Sequence, residues 1–387
     1  MLDLIYGAFL VLRRIVTIFT AQLAENMYIH QHTDWTDFRW DNDELLPLMG
    51  RVRYLQGRLL GQMEHLGFPL QAEAVLTTLT LDVLKSSEIE GELLNPEQVR
   101  SSIARRLGLE VAGLVHSPRH VDGVVEMMLD ATQRYDMPLT SERLFGWHNA
   151  LFPTGFSGLY KIEVAKYRSG EMQVVSGAMG KERVHYEAPE ASRVEAEMTA
   201  FLSWFNATSN IDPVIKAAIA HFRFVTIHPF DDGNGRIARA ITDMQLSRGD
   251  GTSQRFYSMS NQILAERKRY YEILEKTQHG DSDITEWIEW FLSCLERALI
   301  GSTEVLKSVL AKAEFWETHK QTALNERQRK MLNKLLDGFE GKLTSSKWAK
   351  ITKTSPDTAL RDINDLIGKG IIRKEADGGR STHYELV

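Results

Sequence analysis

Apolar positions recur at helical spacing along most of the chain, and strand-like alternation is confined to a few short stretches. The first stripe is Leu45, Leu48, Met49, Val52, Leu55, Leu59 and Leu60; Gly57 and Gly61 weaken it and Gly67 with Pro69 ends it. A second helix is predicted from about Ala72 through Val75, Leu76, Leu79, Val83 and Leu84, stopping near Gly91. Asn95 and Pro96 read as an N-cap and first-turn proline of a third. Helices follow over 117–133 and 139–151, the latter capped by Thr140 or Ser141. Between Pro153 and Pro189 the chain turns rich in Gly, Val and Tyr, and 172–175 with 183–186 predict a β-hairpin on an otherwise helical body. Helical spacing resumes over 190–206 and over 213–227, where Ile215, Ala218, Ile219, Phe222 and Val225 share a face. It continues over about 236–247, 261–278 and 285–299, with a connecting helix over 307–319.

The last stretch predicts a separate unit. Helices over 324–336, 344–351 and 355–367 precede two strands between Ile371 and Leu386, joined at Asp377-Gly-Gly379. Three helices and a hairpin make a winged helix-turn-helix pattern. The expected fold class is mostly α: a helical core with a β-hairpin flap, an N-terminal helical domain and this C-terminal unit. The expected divisions are a poorly defined leader (1–26), an N-terminal helical domain (27–113), a core (114–300), a linker helix (301–323) and the winged unit (324–387).

Composition narrows the function classes. A net charge of -6 argues against a nucleic-acid coat, although 324–387 holds 13 Lys/Arg against 9 Asp/Glu. The single Cys294 excludes an intrachain disulfide and a thiolate zinc site, and its apolar neighbours predict a core residue. No uninterrupted apolar run reaches the ~18 residues of a membrane span. Residues 1–12 are apolar but are followed by Arg13 and Arg14, the reverse of a signal peptide's order. A cytoplasmic protein is expected, with a peripheral membrane helix at 1–26 as the alternative.

Candidate chemistry concentrates in 226–239, which holds His228, Asp231, Asp232, Gly233, Asn234, Gly235, Arg236 and Arg239. Several readings are open. Residues 233–238 fit the dinucleotide pattern G-x-G-x-x-A, but that pattern needs a preceding strand and here a helix precedes it. His221 and His228 stand two helical turns apart as metal ligands, without an obvious third. A capped helix–loop–helix turn with surface charges is the plain alternative. A phosphate cradle uses more of the set. Gly233 and Gly235 admit close backbone approach, and a helix starting near Arg236 turns its positive end to the same place. Arg236 and Arg239 share a face and can each meet a phosphate. Asp232 is a hard oxygen ligand for Mg2+, and His228 can take a proton from a hydroxyl.

This stretch resembles the signature of the Fic family, H-x-F-x-[D/E]-G-N-G-R-x-x-R, which His228, Phe230, Asp232, Gly233, Asn234, Gly235, Arg236 and Arg239 match throughout. The likeness runs from the hairpin region near Lys166 to about Leu295. Residues 27–113 resemble the helical domain that often precedes such cores. The resemblance implies transfer of AMP from ATP, with Mg2+, to a hydroxyl-bearing side chain of a protein. By the same resemblance His228 is the general base, Phe230 the loop's anchor and Asp232 the Mg2+ ligand. It also implies that Asn234 and the loop amides bind the α- and β-phosphates, that Arg236 stabilises the leaving pyrophosphate and that Arg239 holds the γ-phosphate. The hairpin at about 172–186 resembles the flap that docks the target by strand pairing. An intact Gly-Asn-Gly core separates the chain from members that phosphorylate. Tyr271, beside Tyr270, matches an adenine-contacting position; Gln278 stands where an Asn is often found.

Residues 86–91 resemble the family's inhibitory motif, [S/T]-x-x-x-E-[G/N], with Ser86 and Glu90 on one helix face. The resemblance implies that Glu90 pairs with Arg239 and keeps the γ-phosphate out, and that removal of AMP is a further activity of some such members. Self-modification and a homodimer are expected partnerships. A second function class is a DNA-binding regulator acting through 324–387, with 355–367 in the major groove and Arg380 near phosphate. Asp357, Asp362 and Asp365 weigh against it.

Overall fold

The structure, a computed structural model, describes residues 27–64, 66–109, 113–177, 181, 183–337, 339, 341–375 and 382–387. The leader at 1–26, the hairpin tip around Gly180, the Asp377-Gly-Gly379 turn and Arg380 lie outside the described residues. The chain is mostly helical, as expected. A short 3-10 turn, Ile29–Gln31, precedes α1 (Asn42–Glu64), α2 (Phe68–Ile89) and α3 (Pro96–Arg106). Then come α4 (Arg119–Gln133), α5 (Ser141–Leu151), the ribbon β1 (Phe156–Ser157) and β2 (Tyr160–Lys161), and the hairpin β3 (Gln173–Ser176) with β4 (Arg183–Glu187). The central helices are α6 (Ala191–Asn206), α7 (Pro213–Ile227) and α8 (Asn234–Asp250). They lead to α9 (Met259–Ala265), α10 (Arg267–Gln278) and α11 (Thr285–Thr318).

Local chemistry explains these boundaries. Asn95 and Thr140 accept the expected capping bonds, from the backbone N–H of Gln98 and Arg143. From Val214 to Ile227 every residue of α7 is buried, so it is the axle around which α6, α8 and α11 lie; Trp287 of α11 donates to Ala218 O at 2.9 Å. Cys294 is fully buried, as its apolar setting predicts.

Two helix assignments need correction. The stretches 285–299 and 307–319 are one helix, α11, because Leu299, Ser302, Leu306 and Val309 continue a buried stripe at steps of three and four. Conversely, 261–278 is two helices. The chain bends at Glu266, whose carboxylate is gripped by Arg297 at 2.6 Å through both oxygens. The β1–β2 ribbon has no periodic signal and was not predicted.

The C-terminal stretch has its own core of Met331, Leu332, Trp348, Ile363, Leu366, Ile371 and Tyr384. It comprises α12 (Glu326–Leu336), α13 (Ser345–Thr352), α14 (Pro356–Gly368) and the antiparallel pair β5 (Ile372–Lys374) and β6 (Tyr384–Leu386). Lys312 joins it to the rest, donating to Asp337 at 2.7 Å and to Glu73 at 2.9 Å. Among the described residues no helix is long and apolar enough to cross a membrane.

Candidate active site

The loop between α7 and α8 is built by a backbone reversal and then clasped. His228 enters the left-handed region (φ 51°, ψ 60°) and its N–H closes on Phe224 O at 3.0 Å, which ends α7. That conformation costs an L-residue about 1–2 kcal/mol, so neighbours must hold it. Arg168, itself buried, donates from Nε to His228 O at 2.8 Å and from its backbone N–H to Pro229 O at 2.9 Å. Phe230 is fully buried and stacks on the His148 ring at 4.3 Å. The side chain of Asn234 brackets Phe230, accepting from its N–H at 3.0 Å and donating to its carbonyl at 2.7 Å. Both polar atoms of Asn234 are thereby taken within the loop. What Asn234 offers an anion is its backbone N–H, at the first turn of α8.

That first turn is where an anion would be met. The opening N–H groups of a helix have no partner within it, and they add to the positive end of its dipole. Gly233 caps α8 in the left-handed region (φ 82°). Arg236 and Arg239 follow one turn apart, both buried. Arg236 Nε and Arg239 Nη1 are buried donors without a hydrogen-bond partner. Buried donors are almost always satisfied, so two guanidinium groups that each keep one unpartnered donor at a helix N-terminus fit a multiply charged anion.

His228 is half-buried, with Nδ1 3.1 Å from Val225 O. A carbonyl only accepts, so Nδ1 carries the proton and Nε2 keeps its lone pair. Burial holds the imidazole below its ordinary 6.5 and outweighs the opposing pull of the Val225 carbonyl. It is neutral near pH 7, the state a general base requires.

The two acids of the loop are not equivalent. Asp231 Oδ2 accepts from the Glu163 N–H at 2.8 Å and ties down the strap that leads to the flap. Asp232 accepts from Gly233 N at 2.5 Å and from the Ser157 hydroxyl on β1. Its carboxylate adjoins Gly233, the cap of α8. Mg2+ is commonly held by one or two carboxylates plus substrate phosphates, so a single acid beside the anion site suits it.

Neither tyrosine nor His221 is ambiguous in place. Tyr270 is buried, its hydroxyl 2.9 Å from His221 Nε2, and His221 Nδ1 lies 2.9 Å from Thr242 Oγ1. With both nitrogens engaged, His221 is a core residue, which removes the metal-pair reading. Tyr271 is 40% exposed, with Arg267 5.8 Å from its ring. Gln278 is buried. The dinucleotide reading also fails, since a helix precedes the loop.

The end of α2 reaches into this cradle. Arg239 donates from Nη2 to Glu90 Oε1 at 2.7 Å and to Ser86 O at 2.8 Å, and from Nε to Ser86 Oγ at 2.9 Å. Burial works to lower the Arg239 pKa, but Glu90 and its neighbours hold it above the ordinary value. Gly235 makes this approach possible. A Cβ there would lie 2.2 Å from Glu90 Oε1.

Sequence reasoning missed four contributors. Glu92 pairs with Arg236, Arg168 clasps the loop backbone, Ser157 holds Asp232, and His148 supports Phe230. Glu92 was findable, being an acid two positions beyond Glu90. The others act across long sequence distances and leave no periodic trace.

Comparison with known proteins shows what the chain is similar to. Residues 138–246 match the Fic/DOC family, and residues 28–109 match a domain of unknown function (DUF4172). A protein adenylyltransferase Fic of Nematostella vectensis is 25% identical over 237 residues, covering 58% of this chain and 49% of that one. Another, of Culex quinquefasciatus, is 35% identical over 104 residues, 26% of this chain and 19% of that one. The chain thus spans about half or less of the length of these relatives. The crystal structure of a Fic family protein from Desulfovibrio desulfuricans superposes with a TM-score of 0.52 at 22% identity, covering 89% of this chain and 95% of that one.

Proposed function

Because residues 138–246 form a Fic/DOC-family domain, we propose that the chain is a protein adenylyltransferase whose resting form is held off by its own helix α2. The observation that carries this is the pairing of a neutral imidazole with buried, unsatisfied arginine donors at one helix N-terminus. In this reading Gly233, Asn234 and Gly235 present backbone N–H groups to the α- and β-phosphates of ATP. Arg236 meets the leaving pyrophosphate, Arg239 the γ-phosphate, and Tyr271 the adenine. Asp232 would hold Mg2+, which neutralises charge on the phosphates when bound.

His228 Nε2 takes the proton of the target hydroxyl as that oxygen bonds to the α-phosphorus. The bond from the α-phosphorus to the bridging oxygen breaks, and pyrophosphate leaves with the electron pair. Such transfer depends on positioning and charge neutralisation more than on covalent chemistry. The β3–β4 hairpin is the target's dock. Tyr186 pins its base by donating to Thr226 O at 2.7 Å, while Val175 and Val184 are 48% and 43% exposed. An extended target segment adds there as a strand.

The test is mass spectrometry of a cell lysate, and of the chain itself, incubated with ATP and the Glu90→Gly variant. The expected product is an AMP adduct on Ser, Thr or Tyr. A phosphate adduct, or none, would overturn the reading. The same variant incubated with AMP-modified product tests for removal of AMP.

A second reading, DNA binding through 324–387, gains from one observation. Asp362 is buried and paired with Arg327 at 2.7 Å, and Asp365 meets Gln328 at 2.8 Å and also Lys369. Two of the three acids on α14 are therefore neutralised. DNA retention that falls steeply with salt supports this reading, and none at low salt rejects it.

A further inference from the structure

The Glu92 carboxylate accepts through Oε2 from Arg236 Nη1 at 2.8 Å. Arg236 is nearly enclosed, 8% exposed, and its guanidinium is set over the Phe152 ring at 5.0 Å. Both cradle arginines are therefore covered by carboxylates from one segment, Glu90 on Arg239 and Glu92 on Arg236.

A specific turn produces this arrangement. Gly91 adopts φ 84°, its N–H bonds to Glu88 O at 3.0 Å, and the Glu92 N–H bonds to Ser87 O at 3.0 Å. That pair of bonds is a Schellman ending, which needs a residue free to be left-handed at Gly91. The reversal brings the acid before the glycine and the acid after it to the same side, over the first turn of α8. Two carboxylates at a helix C-terminus stand in the unfavourable end of its dipole. The two arginines offset that, and phosphate oxygens compete for the same arginines.

We propose that Glu92 is a second inhibitory residue, closing the β-phosphate position at Arg236 as Glu90 closes the γ-phosphate position at Arg239. The resting chain thereby resists the whole polyphosphate, not its last phosphate alone. This rests on the phosphate-cradle reading above. It makes ADP the discriminating probe, since ADP needs Arg236 but has no γ-phosphate for Arg239.

The experiment titrates ADP, ATP and AMP into the full chain and into the Glu92→Gln, Glu90→Gly and doubly substituted variants by calorimetry, with protein labelling from ATP in parallel. Glu92→Gln is isosteric at a partly exposed site, and its melting curve checks folding. It is expected to tighten ADP about two- to fivefold, the range of a partly exposed ion pair, with AMP unchanged. The double variant is expected to label protein several-fold faster than Glu90→Gly. ADP affinity equal to the parent, with labelling equal to Glu90→Gly, overturns the role of Glu92 and leaves the transferase reading standing. Tightened ADP binding with no labelling by any variant upholds the role of Glu92 and overturns the transferase reading.

Discussion

Replacing Glu90 by Gly is expected to make the chain both less stable and more active. The Arg239 side chain is 2% exposed and its charge is met by one carboxylate; its other acceptors, Ser86 O and Ser86 Oγ, are neutral. Breaking a buried pair from one side costs about 3–5 kcal/mol. Here the Glu90 side chain is 32% exposed, so water reaches the vacated place. The loss is therefore closer to that of one charge-assisted hydrogen bond, about 1.5–3 kcal/mol. At roughly 2–4 °C per kcal/mol for a domain of this size, the melting temperature falls by about 3–12 °C. ATP acts oppositely, because a ligand at a hundred times its dissociation constant adds about 2.7 kcal/mol. The variant is expected to gain more from ATP than the parent, in which Glu90 competes for the same guanidinium. Scanning fluorimetry with and without ATP, beside labelled-ATP incorporation, measures both. Glu90→Gln separates the charge from any backbone effect of glycine. Melting curves identical to the parent, an equal gain from ATP and equal incorporation would refute the competition argument.

Further outcomes are expected. His228→Ala abolishes transfer and retains ATP binding by calorimetry. In the Glu90→Gly background the transfer rate rises with pH through an apparent pKa below 6.5 and is level at neutral pH, because burial lowers the His228 pKa and the unprotonated ring is the base; a midpoint above about 7 contradicts this. Tyr271→Ala raises the KM for ATP with little change in melting temperature. Tyr270→Ala instead costs about 3–5 kcal/mol, since its buried ring and its bond to His221 are both lost. Arg168→Ala removes donors to the carbonyls of His228, Gly170 and Pro189, and lowers kcat together with the melting temperature.

Much of the helical framework was legible because its periodicity is local. Pro213–Ile227 coincides with its predicted span, and the caps at Asn95 and Thr140 form as their residue types demand. The continuity of α11 was not legible, since Gly301 is helix-weakening by propensity and only burial of Ser302 and Leu306 overrides it. The ribbon of two-residue strands was beyond pattern reasoning for the same reason: its partners are set by the loop it packs beside.

The sequence by itself determined the chemical inventory of 226–239 and the placing of Ser86 and Glu90 on one helix face, because residue type and spacing decide what a segment can hold. Tertiary structure decided what each residue is engaged with. It fixed the His228 tautomer through Val225 O, took the Asn234 amide into the loop, and set Glu92 against Arg236. These contacts join residues up to 144 positions apart in the chain, as between Glu92 and Arg236. No local spacing encodes such a distance; only the docking of α2 against α8, driven by burial of their apolar faces, brings both charges to one point.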